Sequence, residues 1–430
     1  MISQDDFDEA RADSFDDGGD ARRAQAPIKG RGAASRPAGR FEKQVRVGQD
    51  DGWGSVYAEE EALPPLATTV TEERARSIVS HNQSPDVGFD QSVNPYRGCE
   101  HGCVYCFARP THAYLDLSPG LDFETRLYAK TNAVERLREE LAKPGHRPSP
   151  IALGINTDGY QPIEKRYALT RGLLEVLAEA RHPVHIVTKS ALVLRDLDLL
   201  APMAAQGLAQ VHLSVTTLDN RLSAKMEPRA AAPHTRIKTI AALHEAGVPV
   251  GVLVAPVVPA ITDHELERIL ETARDAGAAS AGYVLLRLPH ELTQLWREWL
   301  ELHYPERAVH VMSLIQQMRG GKDYDSRFGS RMRGLGPFAD LLRQRFTKAH
   351  KRLGFGDLPP YDETLFRPPS RHLTPRKSRA KSIAYSARAR ATRSFSTHEK
   401  TCHRTIAARG RLRAAAKFRI PPFDAWWAGG

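Results

Sequence analysis

The sequence predicts an α/β fold, a partial (β/α)6 TIM-like barrel, from two observations. Between about residues 87 and 289, short runs rich in β-branched residues alternate with longer amphipathic segments, which is the pattern of a parallel sheet. About six such strand–helix units follow one another, and that number suits a partial or full barrel better than any other class. A doubly wound open sheet is the alternative, because periodicity does not distinguish an open sheet from a closed one.

The predicted strands are short and apolar, as expected of strands that are buried on both faces. After a first strand just before Cys99, they cover residues 151–157, 185–190, 211–217, 250–256 and 283–289. The segments between them carry apolar residues at helical spacing. Gly247 and Gly277 are the predicted C-terminal stops of two of these helices.

Four regions are predicted along the chain. They are an acidic, disordered N-terminal region over residues 1–75, the barrel over 85–310, a helical C-terminal extension over 311–369 and a basic low-complexity tail over 370–430. A disordered tail is the first interpretation of the last region. A nucleic-acid-binding arm and an out-of-frame terminus are the alternatives.

The net charge of +10 belongs to the tail rather than to the predicted barrel. From residue 370 onward there are 15 Lys or Arg against two acidic residues, whereas the rest of the chain has 46 basic and 49 acidic residues. The overall basicity therefore says little about what the barrel binds. No apolar stretch of about 18 residues occurs, and the N-terminus is acidic, so we expect a cytoplasmic protein without a membrane partner.

Three of the four cysteines lie together in "RGCEHGCVYCFARP", as Cys99, Cys103 and Cys106, and the fourth is Cys402 in the tail. Clustered thiols in a reducing compartment more often hold metal than form disulfides. Structural zinc would need a fourth ligand, for which His101 or His112 is near enough in sequence. A 4Fe-4S cluster held by only three cysteines would instead leave one iron open for a ligand.

The spacing Cys-x3-Cys-x2-Cys after a first strand, with Tyr105 just before the third cysteine, resembles the hallmark of the radical S-adenosylmethionine (SAM) superfamily. The resemblance implies a barrel of the radical SAM type and one 4Fe-4S cluster per chain, held by the catalytic cysteines Cys99, Cys103 and Cys106. It also implies that SAM chelates the fourth iron and that one electron cleaves it to a 5′-deoxyadenosyl radical, which abstracts hydrogen from the substrate. An electron donor such as flavodoxin or ferredoxin is the implied partner.

Further segments resemble the subgroup around spore photoproduct lyase and its uncharacterised relatives, over roughly residues 87–369. They include "DFETRLYAKTNA", "TDGYQPIEKRY", "VTKS" and "RFGSRMRG". The resemblance implies lyase-like or transferase chemistry and, as a possible substrate, nucleic acid. That lyase uses a further hydrogen-donor cysteine, which the predicted folded region lacks, and Tyr283 is the alternative donor. A non-catalytic iron–sulfur or zinc protein associated with nucleic acid is the competing interpretation.

Polar residues at the ends of the predicted strands are the candidate SAM contacts. The usual Gly-Gly-Glu after the second strand is replaced by Thr157, Asp158 and Gly159. The resemblance implies that Thr157 and Asp158 accept from the methionyl ammonium, and that Lys189, Ser214 and Arg229 contact the carboxylate or ribose. Tyr105 is expected near adenine. The alternative for each is a structural role, such as a turn cap at Asp158.

Five basic residues would add positive charge around the cluster if they face inward, and could guide an anionic substrate. They are Arg97, Arg109, Arg126, Lys130 and Arg287.

Overall fold

The computed structural model describes residues 26–42 and 66–370. Within those residues the strands are, in chain order, β1 Thr69–Glu73, β2 Val79–His81, β3 Gln91–Val93, β4 Tyr96–Arg97, β5 Arg126–Lys130, β6 Ile151–Leu153, β7 Val184–Thr188, β8 Ala209–Ser214, β9 Val250–Val257 and β10 Ser280–Leu285. The helices of the same residues are α1 Leu121–Thr125, α2 Ala133–Leu141, α3 Glu164–Tyr167, α4 Leu169–Ala180, α5 Leu197–Ala204, α6 Asn220–Met226, α7 Pro233–Glu245, α8 Leu266–Asp275, α9 Leu292–His303, α10 Pro305–Met318, α11 Ser330–Arg333 and α12 Pro337–Arg352.

The main sheet has the spatial order β10-β9-β8-β7-β6-β3-β2. From β3 to β10 every neighbouring pair is parallel, and only β2 pairs with β3 in the antiparallel direction. Spatial neighbours in the parallel part are also successive in the chain, as in a barrel that is wound in one direction. The predicted partial (β/α)6 barrel is therefore confirmed.

Each predicted strand lies on an observed one, and all but β9, which ends one residue later than predicted, end earlier. β6 ends at Leu153 rather than at residue 157, and β8 ends at Ser214 rather than at residue 217. The polar residues that follow lie outside the strands, in loops at the carboxyl edge of the sheet. That edge is where parallel α/β folds place their ligands.

The helices α2, α4, α5, α7 and α8 lie between successive parallel strands and bury one apolar face each. In α8, for example, Leu266, Ile269, Leu270 and Ala273 are fully buried. Helix α7 ends two residues before Gly247 and α8 two residues before Gly277, as predicted. Every helix of the described residues is too short or too polar to span a lipid bilayer.

Two stretches of the region expected to be disordered up to residue 75 are ordered parts of the fold. β1 pairs with β5, and β5 pairs with β4, in a small second sheet. Residues 26–42 lie against the cysteine loop, where Arg31 and Ala33 are buried. Main-chain N–H groups make much of this contact, so it leaves no hydrophobic periodicity in the sequence. Residues 1–25, 43–65 and 371–430, which include the predicted basic tail, lie outside the described residues.

The C-terminal extension also differs from its predicted boundary. The break expected at residues 310 and 311 falls inside α10, because one continuous apolar face runs through Val311, Met312 and Ile315. After α12 the chain returns beneath the barrel. There Gln210 Nε2 donates to the carbonyl of Pro359 at 2.5 Å, and the N–H of Arg367 donates to Ala180 at 2.8 Å.

Candidate functional site

The cysteine loop leaves the barrel after β3 and turns back on itself around its three thiols. The N–H of Cys99 donates to the carbonyl of Phe123 at 2.9 Å, and the N–H of Cys106 donates to Cys103 at 3.2 Å. Gly98 and Gly102 have φ values of 74° and 69°, in the left-handed region that glycine enters without strain. A Cβ at residue 102 would also lie 2.7 Å from Glu124 Oε2. The two glycines therefore allow a turn this tight.

A buried ion pair braces the loop from behind. Arg109 and Glu124 are fully buried, with Arg109 Nη2 2.5 Å from Glu124 Oε1. Arg109 Nε also donates to the carbonyl of Cys103 at 2.8 Å. The same carboxylate accepts from the N–H groups of Gly32 at 3.0 Å and Ala33 at 2.9 Å. The Glu124 side chain thus joins the cysteine loop, through Arg109, to the N-terminal segment 26–42.

Gln161 holds the loop from the side of the second barrel strand. Its Oε1 accepts from the N–H of Glu100 at 2.9 Å, and its Nε2 donates to the carbonyl of Gly98 at 3.1 Å. The side chain is fully buried, so these bonds replace water contacts that the loop would otherwise need. The sequence offered no sign of this role beyond the proximity of Gln161 to Asp158.

The three thiols line one cavity at the carboxyl edge of the sheet. Burial raises the pKa of each: that of Cys103 to about 12, and that of Cys99 well above its usual range. The Asp158 carboxylate, and after it the two neighbouring thiols, raise the pKa of Cys99 further, since negative charges repel. A positively charged metal centre would favour the thiolate forms that burial disfavours.

The donor set fits an iron–sulfur centre, because it consists of closely spaced thiols on one loop. The two histidines considered as further ligands differ in position. His101 lines the cavity, with Nδ1 3.4 Å from Asp158 Oδ2, whereas His112 Nε2 lies 3.0 Å from the carbonyl of Arg126, away from the cavity lining. Among residues 26–42 and 66–370, no three His, Cys, Asp or Glu side chains form a group suited to a single metal ion.

Asp158, Lys189 and Ser214 line the same cavity as the thiols, so the structure brings these predicted residues together. Asp158 accepts from Thr188 Oγ1 and from the N–H groups of Lys189 and Tyr160, each at 2.8 Å. The carboxylate therefore does cap the turn, which was the structural alternative, and it also ties the end of β6 to the end of β7. The Lys189 ammonium lies 5.8 Å from the centre of the Tyr105 ring.

Tyr105 lines the cavity and is held by a buried polar network behind the cysteine loop. Its hydroxyl donates to Glu227 and lies 3.1 Å from Thr216 Oγ1. Glu227 forms a fully buried ion pair with Arg236 at 2.5 Å. Burial acts to raise the pKa of Glu227, but Arg236 and Lys189 outweigh it and hold the pKa below its ordinary value. Glu227 is therefore an ionised anchor for the Tyr105 hydroxyl.

Two predicted contacts lie away from the cavity lining. The Thr157 hydroxyl donates to the carbonyl of Tyr96 at 3.0 Å, which joins the two sheets. Arg229 is partly exposed and pairs with Glu100 at 2.9 Å. Within "EPR", Glu227 is thus the buried residue that contacts Tyr105, whereas Arg229 contacts the cysteine loop from its more exposed side. Both are charged and only two residues apart, so the sequence did not reveal which one faces inward.

Of the five basic residues expected around the cluster, only Arg287 lines the cavity. Arg109 forms its ion pair with Glu124, and Arg97 pairs with Glu73 at 2.8 Å. Tyr283, the alternative hydrogen donor, packs against Phe346 in the core with ring centres 4.8 Å apart and does not line the cavity. The structure therefore does not support a role for Tyr283 at the site.

Comparison with known proteins gives four findings. The family model described as the radical SAM superfamily matches residues 93–273. An uncharacterised protein of Mycobacterium tuberculosis is 42% identical over 231 residues, which are 53% of this chain and 68% of that protein. An uncharacterised protein of Methanocaldococcus jannaschii is 29% identical over 236 residues, 54% of this chain and 83% of its own. A solved structure of spore photoproduct lyase complexed with dinucleoside spore photoproduct aligns with a TM-score of 0.49 and 14% identity, over 66% of this chain and 80% of that one.

Proposed function

Because the chain belongs to the radical SAM superfamily, we propose that Cys99, Cys103 and Cys106 hold one 4Fe-4S cluster and that SAM binds beside it in the shared cavity. The observation that carries this proposal is the placement of all three thiols on the wall of a cavity that Lys189 also lines. When bound and reduced, the cluster supplies the electron that cleaves SAM to methionine and a 5′-deoxyadenosyl radical, which takes a hydrogen atom from the substrate.

Lys189 is the proposed partner of the SAM carboxylate. It lines the cavity near the thiols, and no carboxylate among the described residues pairs with its ammonium. Asp158 accepts the N–H of Lys189 and so fixes the position from which that side chain extends. A charged group held in this way binds a carboxylate with little loss of its own freedom.

Tyr105 and Ser214 are proposed to form the polar walls around SAM, and the apolar wall comes from β9. Glu227 orients the Tyr105 hydroxyl, so the ring is held in one position beside the cysteines. Leu253, Ala255 and Pro256 line the same cavity and are the proposed contacts of adenine. Thr157 is left out of this proposal, since it does not line the cavity and its hydroxyl donates to the carbonyl of Tyr96.

Anaerobic reconstitution of the full chain tests this function. We expect about four irons per chain, the absorbance of a 4Fe-4S centre, and formation of 5′-deoxyadenosine when SAM and dithionite are added. The Cys103→Ala variant should lose both the cluster and the product. A chain that holds zinc and forms no deoxyadenosine would contradict the proposal and favour a non-catalytic metal protein.

A flavodoxin or ferredoxin as electron donor, a cytoplasmic location and a nucleic-acid substrate for a lyase-like or transferase reaction stay predictions. Substrate classes can be compared by the transfer of deuterium from a labelled compound into 5′-deoxyadenosine. Transfer from a labelled oligonucleotide would support nucleic acid. Transfer from a labelled peptide or metabolite, with none from the oligonucleotide, would exclude it.

A further inference from the structure

Arg287 follows β10 and forms one wall of the cavity beside the cysteine loop. Its guanidinium carbon lies 4.9 Å from the centre of the Phe107 ring, and Phe107 directly follows Cys106. Nη1 lies 3.1 Å from the sulfur of Met332. A thioether is a weak acceptor, so this contact satisfies little of the hydrogen-bonding capacity of a guanidinium.

The nearby carboxylates are already engaged by other groups. Arg331 Nε and the N–H of Gly329 both donate to Asp86. Arg327 and the Ser330 hydroxyl donate to Asp325, at 3.0 and 2.7 Å. Arg287 Nε is buried and finds no acceptor in the described part of the chain. Within residues 26–42 and 66–370, then, no carboxylate pairs with Arg287.

Three fully buried arginines of the fold have defined partners within the protein, although Arg319 Nε, like Arg287 Nε, has no acceptor among the described residues. Arg109 and Arg236 each have a buried carboxylate. Arg319 has none, but its two terminal nitrogens donate to the carbonyls of Ser330 at 2.7 Å and Leu286 at 2.9 Å. Among these four arginines, Arg287 is the one that lines the cavity and contacts no carboxylate.

A half-buried cation that contacts no carboxylate is unfavourable unless something else supplies the opposite charge. Burial lowers the pKa of Arg287, and the nearby Arg331 lowers it further, whereas hydrogen bonding to the Tyr324 hydroxyl and the charge of the Asp86 carboxylate act in the opposite direction without outweighing burial. An anion that enters the cavity would remove this cost. The guanidinium presents several donors to such an anion, in the fork geometry that suits oxyanions.

We propose that Arg287 binds an anionic oxygen group of the substrate, a phosphate or a carboxylate, while Phe107 packs against the part of the substrate that carries it. This inference rests on the proposed function, because it treats the cavity as the shared site of SAM and its substrate. Phe107 is 40% exposed despite its size, which leaves ring surface open for contact.

The position of Arg287 separates it from the proposed SAM carboxylate site. Lys189 follows β7 and Arg287 follows β10, with β8 and β9 between them in the sheet. Lys189 lies over Tyr105, whereas Arg287 lies over Phe107. Two cations at two places on one cavity match two anionic groups, one on SAM and one on the substrate.

Calorimetric titration of the reconstituted full chain with phenyl phosphate, benzoate and benzyl alcohol tests the inference. We expect at least one anion to bind and the neutral alcohol to bind more weakly. Arg287→Gln should lower the affinity for the anion by about tenfold or more, since a hydrogen bond to a charged group is lost. Arg287→Lys should recover part of the affinity, and tighter binding of phenyl phosphate or of benzoate identifies the kind of group.

Arg327→Gln is the matched control, because Arg327 is exposed and pairs with Asp325. It should bind the anions like the natural chain. Equal anion binding by the natural chain and Arg287→Gln, or no anion binding by the natural chain, would overturn the inference. So would a loss of SAM affinity in Arg287→Gln comparable to its loss of anion affinity. Absence of deoxyadenosine alongside Arg287-dependent anion binding would contradict the proposed function but not the anion site.

Discussion

The two sides of the cavity differ in how their buried charges are compensated. Behind the cysteine loop, Arg109 and Arg236 each face a buried carboxylate, and the N–H groups of the loop are bonded as well. On the wall after β10, Arg287 has no carboxylate partner among the described residues. The first side holds its geometry through contacts within the protein, whereas we infer that a ligand completes the second. This difference is what a fixed cofactor and an exchanging substrate would require.

The largest effect is expected from breaking the charge pair behind the loop. Glu124→Gln leaves the Arg109 guanidinium buried without a carboxylate, which should lower the free energy of unfolding by about 3–5 kcal/mol. Urea denaturation of the full chain measures it. Glu135→Gln is the control, because Glu135 is exposed where it pairs with Arg74 and Arg136. This change should lower the free energy of unfolding by less than about 1 kcal/mol. Equal losses in the two variants would show that the buried pair does not brace the loop.

The second buried pair, Glu227 with Arg236, should make the stability of the fold depend on pH. Because the folded pKa of Glu227 lies below its ordinary value of 4.5, its ionised form stabilises the fold above that pH. This contribution should be lost as the pH falls below about 4.5, by about 1.4 kcal/mol per unit of pKa difference. Glu227→Gln should flatten that part of the curve of unfolding free energy against pH, measured on the cluster-free chain. An unchanged acid slope in the variant would show that Glu227 is not the group responsible.

The smallest effect on stability is expected at Arg287, and it sharpens the contrast between the two sides. Arg287→Met removes a half-buried charge that contacts no carboxylate, so the free energy of unfolding should stay the same or rise. The identical change at Arg236 leaves the Glu227 carboxylate buried without a partner. It should lower the free energy of unfolding by about 3–5 kcal/mol. Thermal or urea unfolding of the two variants makes the comparison. A loss at Arg287 as large as the loss at Arg236 would mean that Arg287 is a structural residue.

The barrel could be predicted because each strand is a short apolar run, and such runs show directly in the sequence. The cysteines were equally clear, since their spacing is local. The residues around them were harder to choose. Glu227 and Arg229 are both charged and lie in one irregular segment after α6, so only the fold shows that Glu227 turns inward and Arg229 outward.

Long-range contacts through the main chain were the least predictable part. Gly32 and Ala33 reach Glu124 through their N–H groups, which every residue except proline possesses. Gln161 likewise binds the main chain of Gly98 and Glu100 across about 60 residues of sequence. Neither contact needs an unusual residue or a periodic pattern, and so neither leaves a recognisable signal.

The division of the cavity into a SAM side and a substrate side is tested most directly by the affinity of the cluster-loaded chain for SAM. Anaerobic equilibrium dialysis of Lys189→Gln and Arg287→Gln against labelled SAM provides the comparison. We expect Lys189→Gln to bind SAM about tenfold more weakly or worse, because a hydrogen bond to a charged group is lost, and Arg287→Gln to bind it like the natural chain. Weaker SAM binding by Arg287→Gln with none lost by Lys189→Gln would contradict the account.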